Sequence, residues 1–373
     1  MQYRDNPLVP LAQSLLAWTQ SVRPQWVSRL VGHLDSALAR EEIDFRYSNH
    51  IVARSLVRDL VVAKEESLPT ANAHEGIDAT AYWPELHIRT LSEGYLDTAS
   101  ALVFVNDMVV SQSGTFTRRA RDASLLSGAS IRLGSSPTLH IEGTVAGVGD
   151  LWHHYHFMLE TLPQILRIQR MLPETTFVTS SPVAPQAKQA LDFLELNLIE
   201  LGHPRVVTAD QLVVCDRGPQ FMPRPSDVQL LAQTFDPWRG EAHRKNIIYS
   251  SRQGSSRNPA NIVGLEEVLA RHGVEVVNFN HMPLQRQVKI AARAQVLIGC
   301  HGAGLVNSIF QEAGATLLEI SSGFQFENCY QYIAQAKSLN YTFVQLHGSP
   351  EHPHGHVSDA DIDKVLGFAT SAS

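Results

Sequence analysis

The chain predicts an α/β fold whose second half is a parallel sheet covered on both faces. Short Val/Ile/Leu-rich runs at 246–250, 274–278, 295–299, 316–320 and 342–346 have the length and composition of buried strands. Stretches of helical periodicity separate them, at 261–272, 284–294, 303–312 and 327–339. A glycine-flanked turn, His301-Gly302-Ala303-Gly304, closes the third run and opens the helix that follows. Strands linked one to the next by helices give a Rossmann-like layer structure, which takes ligands outside the carboxyl ends of its strands.

The front half is less regular. Strands are expected at 102–105, 108–111, 138–141, 176–179 and 211–214, with helices at 152–171 and 187–196. Ahead of them, residues 8–38 carry apolar side chains at mixed helical spacing, including Leu11, Leu15, Trp18, Trp26 and Leu30. Packed surface helices explain these; the two tryptophans and nearby arginines make a membrane-surface or partner-docking helix the other reading. Pro219, Pro223, Pro225 and Pro237 mark 217–244 as a linker. The expected organisation is a helical segment over 1–45, an α/β domain over 46–216, that linker, a Rossmann-like domain over 245–350, and a tail helix within 351–373.

Bulk properties narrow the function. A length of 373 residues suffices for two cores, and 44% hydrophobic against 18% charged residues describes a folded chain. A net charge of −7 argues against a broad nucleic-acid surface, so any polyanion must be gripped by a local group of cations. Three well-separated cysteines fit a reducing compartment and argue against a disulfide framework or a cysteine zinc site. The N-terminus lacks a signal-peptide pattern, and no apolar run reaches the roughly 18–20 residues that span a bilayer. The expected location is the cytoplasm.

Four features could carry chemistry. Arg252 ends the first strand of the second half, with Arg257 close behind; a guanidinium at a strand's carboxyl end can grip a diphosphate through two oxygens. Gly302, Ala303 and Gly304 let the backbone approach a ligand, so that N–H groups and the His301 ring meet a phosphate. The alternative is that both glycines serve close helix–strand packing. Glu319, at the end of the fourth strand, is placed to accept hydrogen bonds from ribose hydroxyls, or else to sit in solvent. Finally, His153, His154, His156 and Glu160 open a helix in an otherwise apolar stretch. His156 and Glu160 are four apart on one face, and either could act as a general base, unless the histidines simply pack beneath the helix start.

Two other clusters attract less weight. His352, His354 and His356 resemble a metal tract, but the interspersed proline and glycine suggest a flexible loop. Asp361 and Asp363 resemble an acidic metal pair, yet they stand where a helix begins, and capping explains them.

Taken together, Tyr155-His156-Phe157 with Glu160 and Pro163, Tyr249-Ser250-Ser251-Arg252, Arg257 with Asn261, and Gly299-Cys300-His301-Gly302-Ala303-Gly304-Leu305 followed by Asn307, Phe310, Gly314-Ala315-Thr316 and Glu319 resemble glycosyltransferase family 61. The likeness covers about 150–345. One departure is Asn261-Ile262-Val263, where the family usually has an acidic residue after the asparagine; Glu266 and Glu267 come later. The resemblance implies a GT-B architecture, two Rossmann-like domains facing across a cleft, with the donor held mainly by the second and the acceptor by the first. It also implies inverting transfer from a nucleoside-diphosphate sugar, usually a UDP-sugar, with no essential metal and no cofactor. His156 or Glu160 would be the base, and Arg252, Arg257, His301, Gly302, Ala303, Gly304 and Glu319 would hold the donor. The acceptor would be a glycan or glycolipid of bacterial surface polysaccharide, met in the cytoplasm at the inner membrane face. Two rivals make different predictions. A metal-dependent hydrolase built on His153–His156 and His352–His356 would carry zinc; a non-catalytic nucleotide- or glycan-binding protein would be indifferent to loss of His156 and Glu160.

Overall fold

The computed structural model describes residues 42–43, 56–71, 78–105, 108–110, 138–203, 205–240, 246–255, 258–259, 261–322, 328–346 and 355–371. The expected N-terminal helices, Arg257, His352 and His354 lie outside the described residues. Seventeen strands form a mixed front sheet, a parallel second sheet and a hairpin among the described residues.

The front strands are β1 (Glu42–Ile43), β2 (Leu56–Ala63), β5 (Leu86–Leu91), β6 (Tyr95–Asp97), β7 (Leu102–Val105), β8 (Met108–Val110), β9 (Thr138–Gly147), β10 (Thr176–Thr179), β11 (Leu198–Glu200) and β12 (Val206–Cys215). Strands β3 (Glu66–Ala71) and β4 (Asp78–Trp83) pair separately as an antiparallel hairpin. β12 is the hub of the front sheet: it runs antiparallel to β5 and β6 and parallel to β9. The sheet is Rossmann-like only along β12, β9, β10 and β11, whose pairings are all parallel.

A long helical stretch follows β9. It comprises His154–His156, a π-helical segment Phe157–Thr161, and α1 (Leu162–Met171). Pro163 explains the interruption. It has no N–H to give the carbonyl four residues back, and beside it the Leu162 N–H bonds to Phe157 O, a five-residue step. Helix α2 (Pro185–Phe193) then leads to β11.

The stretch 217–244, expected as a linker, contains α3 (Pro225–Thr234) and a 3-10 turn at Asp236–Trp238. Its prolines start structure rather than interrupt it, since Pro225 occupies the first turn of α3, where no N–H is missed. Arg224 is buried, donating to the Lys64 and Pro84 carbonyls and to Glu66. Asp227 pairs with Arg167 of α1.

The second sheet consists of β13 (Asn246–Ser251), β14 (Glu275–Asn278), β15 (Ala294–Cys300), β16 (Thr316–Ser322) and β17 (Asn340–Leu346). Every pairing is parallel, as expected, and the spatial order is β14-β13-β15-β16-β17. Helices α4 (Ile262–Arg271), α5 (Leu284–Ala292), α6 (Cys329–Ala336) and α7 (Asp359–Ser371) accompany it. The helix expected at 303–312 is instead a 3-10 helix, Ala303–Phe310.

Alternation along these strands sends side chains to two apolar layers. Ile248, Leu297 and Leu317 join one cluster; Tyr249, Ile298 and Leu318 join the other, beneath α4 and α7. The first cluster continues into the front half through Tyr155, Phe157, Leu231 and Phe235. Phe193, Phe235, Trp238 and Phe310 link α2, the 217–244 stretch and the second half through aromatic contacts with ring centroids 4.4–6.1 Å apart. No described helix is long and apolar enough to cross a membrane.

Candidate active site

The strand order places the site. Numbered within the second sheet, the order is 2-1-3-4-5, so the chain winds to opposite sides of β13 and β15. A crevice opens outside the carboxyl ends of two such strands, because the connections leaving them diverge. Ser250, Ser251 and Arg252 leave β13 there; Cys300, His301 and Gly302 leave β15.

Small residues bring these ends together. A Cβ on Gly304 would collide with Ser250 Oγ, one on Gly299 with Leu305, and one on Gly302, at φ +156°, with the Arg252 guanidinium. The glycines thus serve close packing as well as any ligand. Arg252 itself donates to the His301 carbonyl and, at 3.0 Å, to Ser255 Oγ, which ties the two strand ends. Asn307 continues the support: its Nδ2 donates to Gln287 Oε1 and to the Gly304 carbonyl, both at 3.1 Å.

His301 and Glu319 form a buried pair. Nδ1 of the imidazole lies 2.5 Å from Glu319 Oε1, and the side chains are 7% and 2% exposed. Tyr341 donates its hydroxyl to the other carboxylate oxygen at 2.7 Å. Burial and the adjacent Glu319 charge push the Tyr341 phenol well above its usual range, so it remains a donor. Glu319 therefore stands behind His301, away from the residues lining the cleft, where a ribose was expected to meet it.

The front half contributes a second pair. His156 Nδ1 lies 2.7 Å from Glu160 Oε2, and Glu160 Oε1 accepts the Phe221 N–H at 3.4 Å. The interval of four residues sets this contact, and the π segment carries Glu160. A third pair precedes it: His153 Nδ1 lies 2.6 Å from Asp150 Oδ1, with Asp150 held at φ +52°. His154 has its Nε2 buried without a partner, and burial pulls its imidazole down to about 4.

All these histidines open on one cleft of about 520 Å3, lined on one side by His153, His154 and His156 and on the other by His301, Gly302, Ala303 and Gly304. His281 and the aromatic rings of Trp152, Phe221 and Tyr330 complete much of its wall. Tyr330 joins the sides, its ring centroid 5.1 Å from His301 and 6.3 Å from Tyr155. Among the described residues lining the cleft there is no Lys, Arg, Asp or Glu.

The expected base and donor residues are thus brought to one place, with Arg252 and Glu319 supporting the wall and Arg257 outside the described residues. Sequence reasoning missed Tyr341 and Asp150. Only structure pairs Tyr341 with Glu319, whereas the three-residue spacing of Asp150 and His153 was a visible signal. Among the described residues no group of three or more His, Cys, Asp or Glu could hold a metal ion. Asp361 accepts hydrogen bonds from the Ser358 backbone and hydroxyl, so it caps α7.

Residues 154–318 match the sequence model of the family Glycosyltransferase 61. This part of the chain belongs to glycosyltransferase family 61. The match contains both the His156–Glu160 pair and the His301–Gly304 turn, and it ends just before Glu319. Among curated proteins, the chain is 27% identical over 131 residues to an EGF domain-specific O-linked N-acetylglucosamine transferase of Drosophila melanogaster, covering 32% of this chain and 24% of that protein. It is 32% identical over 102 residues to a beta-1,2-xylosyltransferase of Arabidopsis thaliana, covering 26% of this chain and 19% of the relative. It is also 35% identical over 78 residues to the beta-1,2-xylosyltransferase RCN11 of Oryza sativa subsp. japonica, covering 20% and 15%. The chain thus spans about a quarter or less of each of these relatives. Among solved structures, E. coli heptosyltransferase WaaC with ADP aligns with a TM-score of 0.30 at 9% identity, covering 62% of this chain and 100% of that one.

Proposed function

We propose that this chain is an inverting, metal-independent glycosyltransferase of GT-B architecture, moving a sugar from a UDP-sugar to a hydroxyl of a glycan or glycolipid. The supporting observation is that His156, backed by Glu160, and His301, backed by Glu319, one histidine from each half, line a single cleft at the strand-order switch. His156, oriented by Glu160, takes the acceptor proton through Nε2. The acceptor oxygen then attacks the anomeric carbon from the face opposite the diphosphate, and the electron pair of the broken C–O bond leaves on the phosphate. The charge that develops there is met by the His301 ring and by the first N–H groups of the 3-10 helix, which have no acceptor within it. Arg252 shapes this donor wall, and Arg257 follows five residues later in the sequence. The setting is bacterial capsule or lipopolysaccharide assembly, in the cytoplasm at the inner membrane face.

A thermal-shift screen against UDP, GDP and CMP, with and without EDTA, tests the reading. A ligand at a hundred times its Kd stabilises the native state by about 2.7 kcal/mol. UDP should raise the melting temperature, EDTA should leave the shift intact, and Arg252→Ala should abolish it. UDP-N-acetylglucosamine and UDP-xylose are the first donors to try, after the sugars named for the relatives. Stoichiometric zinc, with loss of activity on chelation, would instead support a hydrolase.

A further inference from the structure

Among the described residues, the donor wall lacks the cations that usually meet a diphosphate. No lysine or arginine is among the described residues lining the cleft, and the Arg252 guanidinium holds the His301 carbonyl and Ser255. On the sheet side of the cleft, the lining residue His301 has an almost fully enclosed carboxylate directly behind its ring.

Strand register builds that support. Glu319 is paired with Gly299 across β15 and β16, and Leu317 with Tyr341 across β16 and β17. His301 is two residues beyond Gly299, and Glu319 two beyond Leu317. The three side chains therefore share one face of the sheet as neighbours on successive strands. Glu319 accepts from Tyr341 on one oxygen and lies against His301 Nδ1 on the other. With Nδ1 engaged inward, any contact of the ring with a ligand is made through Nε2. An imidazolium donates from both nitrogens, so it can serve Glu319 and a phosphate oxygen together.

We infer that Glu319 and Tyr341 are positioning residues that present His301 Nε2–H to the terminal phosphate of the donor's diphosphate. The inference rests on the donor reading above, and it moves Glu319 from the ribose to the imidazole. No proton is transferred: the electron pair of the broken C–O bond goes to the phosphate oxygen, and the imidazolium hydrogen-bonds that oxygen. Glu319 and Tyr341 both lie beyond the family match, which ends at residue 318.

The test is calorimetric binding of UDP and UMP, which differ by the phosphate in question, with GDP and GMP as a second pair. The wild type should prefer the diphosphate. Glu319→Gln keeps an acceptor for Nδ1–H but removes the charge, and should weaken UDP about tenfold while leaving UMP nearly unchanged. Tyr341→Phe removes one hydroxyl and should weaken UDP about threefold, again sparing UMP. A merely structural role would weaken both nucleotides alike, and that result, or an unaltered preference in folded variants, overturns the inference. Circular dichroism establishes folding; should Glu319→Gln fail to fold, Tyr341→Phe decides. A wild type with no preference for diphosphate would sink the donor reading as well, whereas a preference kept by both variants sinks only this assignment.

Discussion

The two imidazole–carboxylate pairs whose histidines line the cleft are made in different ways. His301–Glu319 depends on three adjacent strands in register and is almost fully enclosed, at 7% and 2% exposure. His156–Glu160 is local, four residues along one helical stretch, and stays partly open at 19% and 9%. A pair fixed by register keeps one geometry, which suits a group that must await a developing charge. A partly open pair on a π segment can exchange a proton with an incoming hydroxyl. Under the proposed function, this contrast fits binding on the sheet side and proton transfer on the helix side.

The sharpest way to break that division is to remove the helix-side pair. His156→Ala should lower turnover by about a hundredfold to ten-thousandfold, the usual range for a general base, while UDP affinity stays nearly unchanged. Glu160→Ala should fall in turnover too, but less, since an imidazole without its orienting partner keeps some basicity. Turnover of UDP-N-acetylglucosamine or UDP-xylose, measured alongside UDP calorimetry, checks both. Wild-type turnover in His156→Ala would give the proton to another group. Asp150–His153 would be the first alternative, its ring centroid 6.1 Å from that of His156.

The same two regions differ in how far they can be read from sequence. The second sheet was legible because strands buried on both faces are continuous apolar runs, as in β15, where six of seven residues are buried. Its spatial order is a tertiary property, and no local signal fixes it. The front sheet was harder. Only 138–141 of β9 was expected, because Glu142, Gly143 and Thr144 interrupt the apolar pattern where β9 is exposed or half-buried. The helix at 152–171 was legible from periodicity, but its π segment depends on how the ladder adjusts around Pro163. Four prolines disguised a packed segment as a linker, although Pro225 at a helix start carried the opposite message. At the site, His156 and Glu160 announced themselves by spacing; Glu319 was found by position, but its contacts with His301 and Tyr341 were not. Its neighbours come from strand register that the sequence does not display.

Acid stability sharpens the comparison on the helix side. Burial lowers the His154 pKa from 6.5 to about 4, so the unfolded chain binds this proton more readily between those values. Stability from this group is therefore complete above pH 6.5 and is lost as pH falls toward 4. The shift corresponds to at most about 3 kcal/mol. His154→Leu removes the titration, and its melting temperature should fall less steeply between pH 7 and 4.5 than that of wild type. Parallel curves would show that His154 is hydrated in solution.

A smaller effect is expected on the sheet side, where packing rather than charge is at stake. Gly304→Ala sets a methyl group against Ser250 Oγ, at the crevice where the β13 and β15 ends lie side by side. Overpacking of this kind typically costs about 1–3 kcal/mol, relieved in part if Ser250 rotates away. If the glycine is there for packing, Ser250→Ala in the same chain should restore much of the lost stability, because the colliding oxygen is gone. Nucleotide affinity separates the two roles of the turn. Should the double variant melt like wild type yet still bind UDP poorly, the backbone at Gly304 meets the ligand directly. If stability and affinity recover together, the glycine acts by letting the strand ends close.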